Sequence, residues 1–176
     1  MPARSPRKPS KAVHIRRVRQ DDWPALRALR LKALAHDPLA FGSTLARESK
    51  FPDEQWKERV ANAASSNAGA TFVADSGASG LIGMAGIAFF GGEWHVWGMW
   101  VGPEHRRKGL GGRLLDAGLR WWRTVAPGQP IRLDVNPRQG DAVRLYESRG
   151  FRRTGVSSPL GHTEGETIDA MVLRAD

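Results

Sequence analysis

The segment Arg106-Arg107-Lys108-Gly109-Leu110-Gly111-Gly112 places three cations and three glycines within seven residues, a composition suited to holding a polyanion. Leu110, Leu114, Gly118 and Trp121 or Trp122 recur at helical spacing, so a helix begins near the glycines and its first-turn amides have no partner within the helix. Glycine lets a phosphate approach the backbone, the helix dipole favours negative charge, and Arg106, Arg107 and Lys108 add cationic donors. A pyrophosphate is the natural guest; the alternative is a solvated strand-to-helix connection. A Walker A loop needs Gly-Lys followed by Ser or Thr, and no such run exists. A dinucleotide fingerprint could begin at Gly109-Leu110-Gly111 with Asp134 at a suitable distance, but Leu114 stands where the third glycine belongs.

The elements that must position this turn are legible in outline. Val13 to Arg19 alternates loosely as a first strand. A helix follows, with Asp21 or Asp22 as its cap, Pro24 in its first turn, and Leu26, Leu29, Ala33 and Leu34 on one face until Asp37-Pro38. After a loop through Phe41-Gly42-Ser43-Thr44, a second helix opens at Pro52-Asp53, and Asn62 to Gly69 reads as loop. Thr71 to Ala74, Leu81 to Phe90 and Glu93 to Val101 are strands joined by hairpin-type turns, Asp75-Ser76-Gly77 and Gly91-Gly92. Helix, strand and helix then alternate over Leu110–Arg123, Ile131–Val135 and Asp141–Arg149, a pattern for parallel pairing, and Phe151–Val156 and Thr167–Leu173 close the sheet. Trp94, Trp97 and Trp100 are expected on one face, as core or pocket wall.

A chain of 176 residues, 40% hydrophobic and 26% charged, fits one folded domain (12–176) behind a flexible basic tail (1–11) containing Arg4, Arg7, Lys8 and Lys11. The absence of cysteine excludes disulfides and thiolate metal sites, and the five histidines lack ligand spacing, so no metal is expected. The longest apolar stretches are about ten residues, too short for the roughly 20 that span a bilayer. With no secretory signal visible, a cytoplasmic location is expected. The net charge of +9 suits any polyanion, nucleic acid or phosphorylated ligand alike.

Two motifs in order carry a family resemblance. Arg106-Arg107-Lys108-Gly109-Leu110-Gly111 is similar to the Arg/Gln-x-x-Gly-x-Gly/Ala signature of the GCN5-related N-acetyltransferases (GNAT), preceded by a strand ending Val101-Gly102-Pro103. Asp141 to Phe151 resembles the later Ala-x-x-Leu-Tyr-x-x-x-Gly-Phe motif, read here as Ala142-Val143-Arg144-Leu145-Tyr146-Glu147-Ser148-Arg149-Gly150-Phe151. The likeness implies a mixed α/β fold: a central mixed sheet of about seven strands flanked by about four helices, ordered β-α-α-β-β-β-α-β-α-β-β. It also implies an acyltransferase moving an acetyl group from acetyl-CoA to a primary amine, a small molecule or a protein N-terminus, by direct attack in a ternary complex.

By position, the resemblance assigns the pantetheine arm to Met99, Trp100 and Val101, with an amide near Trp100 or Val101 polarising the thioester carbonyl. The pyrophosphate falls on Arg106, Arg107, Lys108, Gly109, Leu110, Gly111 and Gly112. Gln139 stands where the family often has an asparagine contacting CoA. Tyr146, the only tyrosine, takes the place that protonates the departing thiolate; its alternative is a packing role. Asp134, flanked by apolar residues, is the candidate base for the protonated amine, directly or through water, and its alternative is an ion pair with Arg132 or another cation. Glu93 and Glu104 are weaker candidates. A cationic acceptor would draw on local acids such as Glu48, Asp53 and Glu54. Members of the family often pair, so a homodimer is compatible. Two other functions compete: a CoA-binding regulatory domain without catalysis, and a basic nucleic-acid-binding module, for which no recognition motif accompanies the charge.

Overall fold

The computed structural model describes residues 12–77 and 79–175; the expected basic tail lies outside them. In chain order the elements are β1 (His14–Arg17), a 3₁₀ turn (Gln20–Asp22), α1 (Trp23–His36), α2 (Leu45–Glu48), α3 (Asp53–Ser65), β2 (Gly69–Asp75), β3 (Leu81–Phe90) and β4 (Glu93–Val101). There follow α4 (Leu110–Val125), β5 (Ile131–Val135), α5 (Gly140–Ser148), β6 (Arg152–Pro159) and β7 (Thr167–Leu173). The seven strands form one sheet in the order β1-β2-β3-β4-β5-β7-β6. Only β4 and β5 pair in parallel, across the α4 crossover; every other neighbouring pair is antiparallel.

Helices cover both faces of the sheet, and β2 and β3 accordingly bury both sets of alternate residues. On one face α1 and α3 bring Leu26, Leu29, Ala33, Leu34 and Val60 against Val73, Met84 and Trp100. On the other, α4 buries Leu115, Leu119 and Trp122, and α5 buries Val143 and Tyr146, against Ile131, Leu133 and Val135. Each such large side chain contributes about 1.5–3 kcal/mol on removal from water.

The expected order of elements is present, with local differences. A further one-turn helix, α2, forms because the Thr44 hydroxyl accepts from the Arg47 amide at 3.2 Å and caps it. Helix α3 runs on to Ser65, into the segment expected as loop. Asp22 does not cap α1: its carboxylate turns back to Arg16 (2.6 and 2.9 Å) and to the Arg19 amide (2.7 Å), since an ion pair competes successfully for the same oxygens.

The three tryptophans do not share a face, because a spacing of three residues reverses direction on a regular strand. Trp94 points to the α4 side, where its indole donates to Gln129 at 3.0 Å and meets Trp121 edge-on. Trp97 and Trp100 both point to the α1–α3 side because β4 bulges between them: Gly86 pairs with Trp97 and Met84 with Trp100, two steps on β3 against three on β4. Gly98 takes the left-handed conformation (φ 60°) that the bulge requires, at little cost for glycine. No helix among the described residues is long and apolar enough to cross a membrane.

Candidate functional site

Strands β4 and β5 pair at only two positions, Trp94 with Ile131 and His95 with Arg132. Beyond His95 they diverge, and a cleft of about 730 Å³ opens between the end of β4, the turn into α4 and the start of α5. The antiparallel pairing with β3 fixes which β4 groups face this gap. Gly102 donates to Ile82 at 2.9 Å, so by strand alternation the N–H and C=O of Val101 point toward β5. The Arg106 Nε takes that carbonyl at 2.9 Å, which leaves the Val101 amide directed at the opening.

The turn itself is held in an unusual backbone path. Arg107 is the one non-glycine residue with positive φ (56°) among the described residues, and Gly109 follows at φ 75° as the N-cap of α4. The first helical bond runs from the Arg113 amide to the Gly109 carbonyl at 3.1 Å. The amides of Leu110, Gly111 and Gly112 therefore have no partner inside the helix, and all three residues line the cleft. Arg107 lines it as well, with Arg138 and Arg144 across from it on the α5 side.

Arg106 braces the turn from below. Besides holding Val101, its guanidinium reaches Asp37 at 2.5 Å, and Asp37 also accepts from the Trp100 indole at 2.6 Å. Burial works against ionisation of Asp37, but the hydrogen bonds from Trp100 and Arg106 outweigh it and hold the carboxyl below its ordinary range. Lys108 turns away: its ammonium donates to the Glu104 carbonyl at 3.1 Å, and it is not among the residues lining the cleft.

At the inner end of the cleft Tyr146 is buried, its ring edge-on to Phe151, with its hydroxyl 3.6 Å from the Met99 sulfur. Burial pushes the phenol up to about 12. The α5 start is set by Gln139, which lines the cleft and whose carbonyl accepts from Val143. Buried Asn136 fixes the preceding turn by accepting from the Arg138 amide and donating to Glu166, each at 2.9 Å.

A second cavity, about 650 Å³, lies on the α1–α3 face and reaches β4 at Trp97 and Gly98. Its charged groups are Arg30 and Arg59 against Glu48. Arg30 holds Glu48 through Nε (3.1 Å) and Nη2 (2.8 Å), and Arg59 stands 3.7 Å from the same carboxylate. Burial disfavours the ionised Glu48, yet the hydrogen bonds and charge of Arg30 prevail and keep its pKa low. Of the acids expected to draw a cation, Glu48 is committed to two arginines, and Asp53 and Glu54 are exposed at the start of α3.

Met99, Trp100, Val101, Arg106, Arg107, Gly109, Leu110, Gly111, Gly112, Gln139 and Tyr146 thus share one cleft. Asp134 lies on the opposite face of β5 from it: Ile131, Leu133 and Val135 enter the core with Tyr146, and exposed Asp134 points the other way. It forms no ion pair among the described residues; Arg132 pairs with Glu93 at 2.8 Å instead. Its charge is felt by His95, whose pKa burial lowers. Glu104 pairs with Lys32. No group of three or more potential metal ligands occurs among the described residues.

The residues not singled out from sequence include Asp37, Arg138 and Arg144 in the cleft and Arg30 and Arg59 in the second cavity. Arg30 had a signal: it sits four residues from both Leu26 and Leu34, on the apolar face of α1.

The family description "Acetyltransferase (GNAT) family" matches residues 23–151, which contain every strand and helix from α1 to α5. The chain belongs to the GNAT acetyltransferase family. An N-alpha-acetyltransferase, RimI, of Mycobacterium tuberculosis is 29% identical over 128 residues, 70% of this chain and 77% of that protein. Among solved structures, a GNAT-family acetyltransferase from Streptococcus pneumoniae superposes with a TM-score of 0.79 at 22% identity, covering 94% of this chain and all of that one. The structure of yncA from Salmonella typhimurium, a putative acetyltransferase with acetyl-CoA, gives 0.75 at 19% identity, over 94% and 95% of the two chains. The acetyltransferase fold thus spans nearly the whole described chain.

Proposed function

We propose that this acetyltransferase transfers an acetyl group from acetyl-CoA directly to an amine within a ternary complex. The observation that carries the reading is the division of space at β4: consecutive residues Trp97 to Val101 line two cavities, one on the α1–α3 face of the sheet and one in the gap between β4 and β5. One cavity presents free amides and arginines to a diphosphate, and the other admits a second substrate. Both meet at the bulge, where an acyl donor and an acceptor could react without exchanging places.

The free amides of Leu110, Gly111 and Gly112, supported by Arg107, hold the pyrophosphate. Lys108 acts as a longer-range charge, and Arg106 chiefly fixes the turn and the end of β4. The pantetheine follows β4 in the gap left by β5, with Gln139 on the α5 side. The Val101 amide is directed at the thioester oxygen and stabilises the charge that develops there. The amine nitrogen attacks the carbonyl carbon, the carbon–sulfur bond breaks, and the sulfur leaves toward Tyr146.

Tyr146 serves as hydrogen-bond donor to that sulfur. With the phenol at about 12 and a thiol near 8.5, complete proton transfer is uphill by roughly 5 kcal/mol. Donation that strengthens as the thiolate forms carries the role without that cost. Asp134, on the face from which the amine approaches, accepts the amine proton directly or through water, with neutral His95 beside it. Acid and base then act from opposite faces, matching the opposite directions of attack and departure. Direct attack is supported by composition: the chain has no cysteine, and the cleft lining includes no serine, threonine or lysine to carry an acyl group.

Initial-velocity kinetics of amine-dependent thiol release test the reading. Intersecting reciprocal plots are expected for acetyl-CoA and amine; parallel plots, the pattern of an acyl-enzyme, would contradict it.

A further inference from the structure

We propose that the acceptor is a small amine that also carries a carboxylate, seated with that carboxylate against Arg30 and Arg59 in the α1–α3 cavity. The inference rests on the proposed function and narrows its substrate class. Its first ground is an incomplete set of partners. The Arg30 side chain is nine-tenths buried, with 9% of its surface exposed. Two of its nitrogens are taken by Glu48, but Nη1 is buried without a hydrogen-bond partner. The indole N–H of Trp56, lining the same cavity, is also buried and unpartnered. A buried donor left without an acceptor is destabilising, more so when charged, so an arriving oxyanion recovers that loss.

The second ground is charge. Two guanidinium groups face one carboxylate, and no other charged side chain lines the cavity. The excess of one positive charge repels a polyamine and complements a single negative group. Position is the third. A Cβ built on Gly98 would stand 3.5 Å from Arg30 Nη1, so the free donor sits at the bulge, one residue from Met99. A carboxylate held there keeps an amine a few bonds away beside the gap between β4 and β5. Leu26, Val60, Met84 and Trp97 supply apolar walls, which suit an amino acid with an apolar side chain.

Matched pairs test the proposal: leucine against isopentylamine and phenylalanine against phenethylamine, with spermidine and the peptide amide Ser-Ala-Ala-Ala as further acceptors, each at saturating acetyl-CoA. We expect kcat/KM for the carboxylate member to exceed that of its amine by about ten-fold or more, the range of a charged hydrogen bond. Arg59→Gln and Trp56→Phe, which spare the Arg30–Glu48 pair, should narrow that ratio through KM. Equal rates within pairs, preference for an amine, spermidine or the peptide, or no turnover of either amino acid overturns it. Calorimetry with acetyl-CoA reports on the opposite cleft, so those failures leave the proposed function standing if acetyl-CoA binds. Should acetyl-CoA not bind, the proposed function falls. Tryptophan-fluorescence titration then decides the carboxylate site alone: saturable quenching by leucine but not isopentylamine supports it, and equal responses overturn it.

Discussion

The two cavities that meet at β4 are built from different materials. The cleft on the α4–α5 side is made from contiguous chain: a strand end, a turn and the first turn of a helix, all within Met99 to Gly112, completed by α5. Its donors are backbone amides, so its chemistry depends on conformation. The α1–α3 cavity draws on side chains from α1, α2 and α3, held by a buried ion pair between residues 18 apart in sequence. Its chemistry depends on side-chain identity. The first cavity is therefore insensitive to side-chain substitution over much of its surface, and the second can be altered one residue at a time.

Tyr146 is one of the few side chains to which the proposed function gives a role in the donor cleft. Tyr146→Phe is expected to lower kcat by about 10²–10⁴-fold, the range of a positioned proton donor, with acetyl-CoA affinity unchanged by calorimetry. An equal loss in both would make the residue structural. Next in size is the ion pair of the opposite cavity. Arg30→Met leaves the Glu48 carboxylate buried with Arg59 alone, 3.7 Å away and without a hydrogen bond, and should cost about 3–5 kcal/mol of stability in urea unfolding. Adding Glu48→Leu to that variant should recover most of it, because no uncompensated charge remains.

The contrast also explains what the sequence made legible. Met99 to Gly112 could be read because its function lies in local features: glycine spacing, a helix start and adjacent cations. The expected strand limits at Leu81–Phe90, Glu93–Val101, Ile131–Val135 and Thr167–Leu173 coincide with those in the structure, since strong apolar runs there end in turn residues. The β4 bulge could not be read, because it depends on register with β3, and it redirected Trp97 and Trp100. Nor could the partners of Glu48 be read: a glutamate in a polar loop looks solvated until α1 presents Arg30 to it. Lys108 and Asp134 show a related limit, since position in a motif specifies the backbone but not where a side chain turns.

Smaller perturbations sharpen the same contrast. Gly109→Ala forces a Cβ into left-handed backbone at φ 75° and should cost about 1–2 kcal/mol, while weakening acetyl-CoA and leaving the preference among acceptors unaltered. A change in that preference would mean that the cavities are not separable.

The pH dependence is the mildest expectation. Glu48 titrates lower in the folded protein than in the unfolded chain, so its contribution to stability is complete above the ordinary glutamate value. That contribution is lost as pH falls through the depressed folded value. Acid unfolding of the Arg30→Met, Glu48→Leu variant should therefore be less steep than that of the wild type. Tyr146, raised to about 12, stays protonated across the working range. Activity should rise with pH as the amine loses its proton, without a falling limb from tyrosine below about pH 11.

We propose that the amides of Leu110 to Gly112, with the arginines beside them, grip the diphosphate of the acyl donor. Isothermal titration calorimetry with acetyl-CoA and with S-acetylpantetheine, which lacks the diphosphate, tests it directly. Acetyl-CoA should bind at least about 100-fold more tightly, roughly 2.7 kcal/mol, and the difference should shrink as salt is added. Absence of binding by acetyl-CoA, or equal affinity for the two ligands, would contradict it.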